Sequence, residues 1–216
     1  MEPLPRHQCL IYSGPPSQHL AALAAVILER RRQHYRCLYF NSRPMIAGLR
    51  SYLAAVGMDV LEEIANGSLI LSSEQSHLRD GKFNLDSMIG SLRESLDEAR
   101  DEGYAGLWAS GDMAWEFGPE KDFSRLLEYE WRLEELFRER ADLSGICQYL
   151  AGTLPQECLH QALIAHPSLY VNETLSRINP HYFAHELFSH DAACSAANTA
   201  EVESAVLGLL RAATLA

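Results

Sequence analysis

A short apolar segment near the N-terminus carries a histidine and a cysteine two residues apart. This segment, His7 to Ser13, is predicted to be a β-strand, and residues two apart on a strand project from one face, about 6.6 Å apart along the chain. Imidazole and thiolate are both ligands of transition metals. A metal site using His7 and Cys9 would need one or two further ligands, such as Cys147 on another predicted strand. The alternatives are a small-molecule contact and a structural role, in which Cys9 behaves as a small apolar residue.

A second set of polar and aromatic side chains falls at the carboxyl ends of predicted strands. Open parallel sheets bind ligands in the crevice at this edge, so we expect side chains from three strands to converge on one apolar pocket with a polar rim. Plain packing is the alternative for Trp115. The residues predicted to line the pocket are Tyr12, Asp112, Trp115, Gln148 and Tyr149.

Three further groups have both a functional and a structural interpretation. Arg79 lies in the long polar connection 73–84, which is predicted to be a lid or moving part, or else to carry a plain surface ion pair with Asp80. Glu130 lies on a predicted helix, either on its solvated face or as a buried carboxylate that orients an arginine or histidine. His181 and His185 have the helical spacing of a metal-binding pair, although packing of the aromatic tail around them is the alternative.

The elements that must position these residues alternate between strands and helices. This alternation predicts a single three-layer α/β domain with a mainly parallel central sheet of about six or more strands. The predicted strands are 7–13, 37–41, 69–72, 106–110, 144–150 and 168–172, and the predicted helices are 17–34, 44–56, 60–65, 85–102, 122–140, 155–165 and 201–215.

The first strand, its turn and the following helix resemble the phosphate-loop unit of a RecA/KaiC-like domain. The turn lacks the Gly-Lys-Ser/Thr ending, and Pro15 and Pro16 remove two amide donors from the segment that would surround an anion. We therefore expect a degenerate phosphate loop, no ATP hydrolysis and no bound cofactor.

Composition narrows the possible partners and compartments. The net charge of −11 disfavours direct contact with nucleic acid, and the basic cluster 29–34 is predicted to be the solvated end of a helix. No apolar run long enough to cross a membrane and no cationic leader are evident. Five cysteines without a CxxC pair are expected to be reduced. These features predict a cytoplasmic protein.

An ordered set of short motifs resembles the methanogen/methylotroph sensory domain, or MEDS domain, over about residues 6–188. The motifs are HQCLIY at 7–12, RDGKF at 79–83, GDMAW at 111–115, LEYEWRLEELF at 127–137, CQY at 147–149, HP at 166–167 and NPHYF at 179–183. The resemblance implies a sensor of small molecules such as hydrocarbon derivatives, attached to DNA-binding or histidine-kinase-like domains. The family usually has glutamate where this chain has Asp112, which shortens the carboxylate by one methylene.

We therefore expect a non-catalytic sensory domain over 1–190 and a C-terminal extension over 191–216. The sensor is expected to act through a regulatory protein, either a histidine kinase or a transcription regulator. The apolar stripe of 201–215 is predicted either to pack on the core or to form a homodimer. One alternative is a metalloprotein or enzyme using His7, Cys9 and Asp112. The other is a scaffold that binds a kinase or an anti-sigma-like partner without any ligand.

Overall fold

A computed structural model gives the fold, and the structure describes residues 6–14, 17–171 and 174–176. The strands are β1 (His7–Tyr12), β2 (Tyr35–Phe40), β3 (Leu69–Ser72), β4 (Leu78–Arg79), β5 (Lys82–Phe83), β6 (Gly106–Asp112), β7 (Leu143–Leu150), β8 (Ser168–Val171) and β9 (Thr174–Ser176). The helices are α1 (Ser17–Arg32), α2 (Arg43–Ala55), α3 (Val60–Ala65), α4 (Leu85–Asp101), α5 (Met113–Glu116), α6 (Leu126–Glu139) and α7 (Gln156–Ala165).

Seven strands form the central sheet in the order β3-β2-β6-β7-β1-β8-β9. The first six are parallel to one another, and β9 pairs antiparallel with β8 at the edge. All six predicted strands are present, so the predicted α/β fold with a mainly parallel sheet is confirmed. The antiparallel strand β9 was not predicted.

Helices cover both faces of this sheet, and each face has its own apolar core. We call the face covered by α1, α2 and α3 the α1 face, and the face covered by α4, α5, α6 and α7 the α6 face. Strands buried on both sides are apolar nearly throughout, which explains why every residue of β1 is buried.

Neighbouring side chains on a strand point to opposite faces. His7 and Cys9 of β1 therefore face α6, whereas Tyr12 faces α1. On β7, Cys147 and Tyr149 belong to the α6 face, and Gln148 between them points to the other. This alternation divides the predicted site residues into two groups that the sheet separates.

The predicted polar connection 73–84 contains a hairpin of β4 and β5. Its turn is Asp80-Gly81, with φ of 52° and 78°, and this positive-φ pair is the conformation that Asp-Gly favours in a two-residue hairpin. Within the same segment His77 is buried and its Nε2 lies 2.8 Å from the carbonyl of Glu116. The connection is thus structured and packed on α5.

Two predicted boundaries were wrong near the site. The strand predicted over 106–110 continues to Asp112, whose side chain then caps α5 by accepting from the Trp115 amide at 3.1 Å. The helix predicted over 122–140 begins at Leu126. The predictions for Pro15 and Pro16, His181, His185 and the helix 201–215 fall outside the described residues.

Among the described residues, none of the helices combines the length and the apolar character needed to span a lipid bilayer.

Candidate functional site

Four buried side chains from four different parts of the chain meet on the α6 face. They are His7 on β1, Glu130 on α6, Cys147 on β7 and His166 directly after α7. One donor atom from each lies within 4.8 Å of the donor atoms of the other three. We call these four residues the His-Glu-Cys cluster.

One carboxylate oxygen, Oε2 of Glu130, lies at the centre of the cluster's contacts. It is 3.2 Å from Nε2 of His7 and 3.3 Å from Nε2 of His166. Sγ of Cys147 lies 3.5 Å from the same oxygen and 3.6 Å from Nε2 of His7. Glu130 lies on the buried side of α6, so a charged residue in this helix serves the interior rather than the solvated face.

Other polar groups hold the cluster residues from outside. Nδ1 of His7 lies 3.0 Å from Oε2 of Glu134, one helical turn beyond Glu130. Nδ1 of His166 lies 2.7 Å from the carbonyl oxygen of Ala162. The hydroxyl of Tyr149 donates to Oε1 of Glu130. The orientation of both rings and of the carboxylate is therefore fixed from the side away from the centre.

These outer contacts determine which ring nitrogen of His7 and of His166 carries a proton, and therefore which one can direct a lone pair towards the centre of the cluster. A carbonyl oxygen can only accept a hydrogen bond, so Nδ1 of His166 is its proton-bearing nitrogen. When neutral, His166 then presents the unprotonated Nε2 to Glu130. The carboxylate of Glu134 likewise accepts from Nδ1 of His7, which leaves Nε2 of His7 facing the centre.

Burial and mutual charge shift the protonation of the cluster residues in different directions. Burial opposes ionisation of Glu130, but the charges and hydrogen bonds of His166 and His7 outweigh it and hold the pKa of Glu130 below its usual range. Burial also opposes protonation of His7, yet Glu130 and Glu134 raise its pKa. Burial lowers the pKa of His166 and raises that of Cys147 well above the usual value.

A small cavity adjoins the cluster between the sheet and helices α4, α5 and α6. The cavity has a volume of about 20 Å³, and about 10–15 Å³ is enough for one water. Most of its lining residues are apolar, and the residues with polar side chains among them are Ser110, Glu116, Tyr129 and Cys147. The lining residues are Phe40, Met88, Leu92, Ala109, Ser110, Gly111, Met113, Glu116, Tyr129, Leu133, Phe137, Ile146 and Cys147.

Glu116 supplies the carboxyl of this cavity and is 2% exposed. Burial, together with the charges of Glu130 and Asp112, raises its pKa well above the usual value, which favours the protonated form of its carboxyl. Its carboxyl packs against Gly111, where an added Cβ would lie 1.5 Å from Oε1. The hydroxyl of Tyr129 lies 3.3 Å from Oε2.

The α1 face carries a different polar arrangement, at the carboxyl edge of β1, β6 and β7. Tyr12 donates to Oδ2 of Asp112 at 2.7 Å, and Gln148 donates to Oγ of Ser110 at 2.9 Å. Tyr12, Asp112 and Gln148 are all buried. Among the described residues, the polar side chains at this edge are therefore hydrogen-bonded to one another.

The predicted site residues thus fall into three places. His7, Cys9 and Cys147 lie on the same face of the sheet, and Tyr149 lies with them instead of at the Tyr12–Asp112 edge. Asp112 contacts Tyr12, across the sheet from His7, so the predicted combination of His7, Cys9 and Asp112 does not form one site.

Trp115 is half-buried near the hairpin segment, where Gln75 donates to its carbonyl at 2.6 Å. Arg79 is exposed and reaches Ser87, not the sheet edge.

Three residues of the site were not singled out from the sequence. Glu134 and Glu116 lie on helices among many other acidic residues, which conceals them. His166 was noted only as part of the HP motif. The pairing of His166 with His7, on a strand at the other end of the chain, is a product of the β7–β1–β8 order of the sheet.

Comparisons with known proteins place this site in a family context. Residues 6–167 match the family described as MEDS, the MEthanogen/methylotroph, DcmR Sensory domain, and all four cluster residues lie within the match. A comparison with curated proteins finds no match. Among solved structures, the chain is similar to an uncharacterised protein of Pyrococcus horikoshii crystallised with an unknown peptide. The two are 12% identical with a TM-score of 0.57, over 79% of this chain and 78% of that chain, which shows a shared fold.

Proposed function

Because the chain belongs to the MEDS family of sensory domains, we propose that it is a non-catalytic sensor of a small, largely apolar molecule and acts through a regulatory protein. The observation that carries the proposal is the cavity beside the His-Glu-Cys cluster. It lies inside the matched region, and it combines apolar walls with a few polar groups, as small-molecule sites commonly do.

The dimensions and lining of the cavity define the class of ligand. About 20 Å³ of accessible space is enough for one water-sized molecule, so a larger ligand requires the cavity to widen. Met88 and Met113 can widen it, because methionine side chains adapt readily to different shapes. The carboxyl of Glu116, when protonated, can donate to one acceptor atom of the ligand. A short hydrocarbon derivative with one oxygen or halogen fits these constraints.

Contacts from the cavity to the surface offer a path for a signal. Glu116 lies on α5, and the carbonyls of Trp115 and Glu116 bond to Gln75 and His77 of the hairpin segment. A ligand that favours one position of Glu116 would shift α5 and this segment together, because a ligand moves an equilibrium only by binding one state better. We propose segment 73–84 as the part that responds.

The net charge of −11 favours a protein partner over nucleic acid as the receiver of this signal. A histidine kinase or a transcription regulator is the partner we propose. A scaffold without any ligand is the competing function, and it predicts that no small molecule stabilises the protein.

Ligand-dependent thermal stabilisation tests the proposal. The protein is screened against short alkanes, alcohols and haloalkanes, with ATP and magnesium included for comparison. A ligand that binds the native state raises Tm in proportion to its concentration relative to Kd. We expect stabilisation by at least one short hydrocarbon derivative and none by ATP.

Two matched substitutions locate the binding site. Leu92→Phe fills the cavity, whereas Leu96→Phe adds the same volume one turn further along α4, at a buried residue that does not line it. Both variants carry the cost of overpacking. Only Leu92→Phe should abolish the ligand-dependent rise in Tm. Equal stabilisation of Leu92→Phe and the unmodified protein would contradict the proposed site, and stabilisation by none of the compounds would favour the scaffold.

A further inference from the structure

Four of the six distances between the donor atoms of the His-Glu-Cys cluster match the edges of a metal-binding tetrahedron, and the other two are no longer than 4.8 Å. With metal–nitrogen and metal–oxygen bonds of about 2.0–2.1 Å and a metal–sulfur bond of about 2.3 Å, a regular tetrahedron has edges of about 3.4 Å between nitrogen and oxygen and about 3.6 Å to sulfur. The nitrogen–oxygen separations in the cluster are 3.2 and 3.3 Å. Those to sulfur are 3.5 and 3.6 Å.

The groups outside the tetrahedron are those that metal ligands require. Ligating histidines donate their other ring nitrogen to a carboxylate or a backbone carbonyl, and ligating carboxylates are themselves hydrogen-bonded. His7 has Glu134, and His166 has the carbonyl of Ala162. Glu130 keeps Oε2 for the centre, because Tyr149 donates to its other oxygen.

Charge and ligand type narrow the choice of ion. Two neutral imidazoles, one thiolate and one carboxylate carry two negative charges, which a divalent cation neutralises inside the protein. A tetrahedral set of nitrogen, sulfur and oxygen ligands suits zinc, whereas magnesium and calcium prefer oxygen alone. A metal would also lower the pKa of the Cys147 thiol, because a coordinating thiol is deprotonated.

We propose that His7, Glu130, Cys147 and His166 bind one zinc ion in a closed, tetrahedral site. With all four positions taken by protein ligands, the site is structural, not catalytic. It joins β1, α6, β7 and the residue that links α7 to β8, which are remote from one another in the sequence. Its existence does not depend on the sensory function, since metal binding is measured without a small molecule.

Metal content and cobalt spectroscopy of the full chain test this proposal. The protein purified without chelator should contain one zinc per chain by elemental analysis. After removal of zinc, cobalt(II) should bind stoichiometrically and give the intense visible bands of a tetrahedral complex with a thiolate-to-cobalt charge-transfer band. Zinc should then displace cobalt and raise Tm. Failure of the metal-free protein to bind either ion at micromolar concentration would overturn the proposal.

Two cysteine substitutions distinguish this site from adventitious binding. Cys147→Ser removes the thiolate at little change in size and should eliminate the charge-transfer band. Cys9→Ser alters a buried cysteine that pairs in register with Cys147 but lies outside the donor set, so it should keep the band. Loss of the band in both variants, or in neither, would contradict the assignment of Cys147 as the ligand.

A partly exposed residue supplies a test that does not alter a ligand. Glu134→Gln weakens the carboxylate that orients His7 and should reduce zinc affinity about 10- to 100-fold while leaving the stoichiometry at one. Unchanged affinity would contradict the assignment of His7, oriented by Glu134, as a zinc ligand.

Discussion

The two faces of the sheet bury similar kinds of polar residue and arrange them differently. On the α1 face, Tyr12 binds Asp112 and Gln148 binds Ser110, so the polar groups pair off along the sheet edge. On the α6 face, His7, Cys147 and His166 all approach one oxygen of Glu130, with a cavity beside them. Burial of polar groups alone therefore does not mark a site in this protein, whereas convergence of donor atoms on one point does.

The buried carboxylates of the two faces also differ in the direction of their pKa shifts. Burial of Asp112 raises its pKa, although the Tyr12 hydroxyl and the backbone amides of Trp115 and Ala114 oppose the shift. Burial of Glu130 acts in the same direction, but there two histidines reverse the shift and keep the carboxylate ionised. The polar groups of the α1 face are thus hydrogen-bonded in pairs. The α6 face holds the negative charge of Glu130, which His7 and His166 stabilise.

The largest loss of stability among substitutions on the two faces is expected at Glu130. Glu130→Gln removes the buried negative charge that His7 and His166 stabilise. Removing one partner of a buried ion pair typically costs about 3–5 kcal/mol, so we expect a loss of that size in the free energy of unfolding in urea. Glu135→Gln, on the exposed side of the same helix, should change it by less than about 0.5 kcal/mol.

The second effect is a pH dependence that originates on the α1 face. His19 stacks on Tyr12 with ring centroids 3.8 Å apart, and burial lowers its pKa to about 4. As the pH falls from about 6.5 to about 4, the unfolded chain takes up a proton that the folded protein does not. Stability should therefore fall by up to about 3 kcal/mol over this range.

His19→Phe keeps the aromatic stacking and removes the titrating group. Urea unfolding at several pH values should show a smaller loss of stability in the variant than in the unmodified protein over this range. Parallel pH profiles for the two proteins would show that His19 is not the group responsible.

The third effect concerns the cavity wall. Gly111→Ala places a Cβ 1.5 Å from Oε1 of Glu116, so the carboxyl must move, at a cost of about 1–3 kcal/mol. Gly90→Ala, at a helical position with open space around it, should instead stabilise the protein by up to about 1 kcal/mol. Chemical denaturation measures whether the free energy of unfolding falls in Gly111→Ala and rises in Gly90→Ala. Destabilisation of the protein by both substitutions would refute the prediction.

The last effect is expected at the Tyr12–Asp112 edge. Tyr12→Phe removes one buried hydrogen bond to Asp112 and should cost about 1–3 kcal/mol of stability, with no change in ligand-dependent stabilisation. If Tyr12→Phe had a normal Tm but were no longer stabilised by ligand, the binding site would have to lie on the α1 face.

The sequence predicted the layers of the fold better than the grouping of the site. Strand and helix periodicity located all six parallel strands, because buried strands and amphipathic helices differ locally. Tyr149 was assigned to the wrong face, although its alternation with Gln148 on one strand was a usable signal. The Asp80-Gly81 turn was likewise a hairpin signal within a segment treated as a loop.

Other features depend on strand order, which local patterns do not contain. His166 approaches His7 only because β8 lies beside β1, and Glu130 approaches both because α6 crosses the same face. Glu116 acquires its role from Gly111, whose missing side chain makes room for the carboxyl. Such contacts join residues far apart in the chain or depend on packing.

The most direct test of the central claim uses the methionine methyl groups as reporters of the two faces. Met88 and Met113 line the cavity on the α6 face, whereas Met58 is buried in the core of the α1 face. A short haloalkane with one halogen, such as chloroethane, is added to protein labelled with carbon-13 at the methionine methyls, and the spectra are followed by NMR. The account predicts shifts of the Met88 and Met113 signals that saturate, with Met58 unchanged. Saturable shifts confined to Met58, or no shift at any of the three, would contradict it.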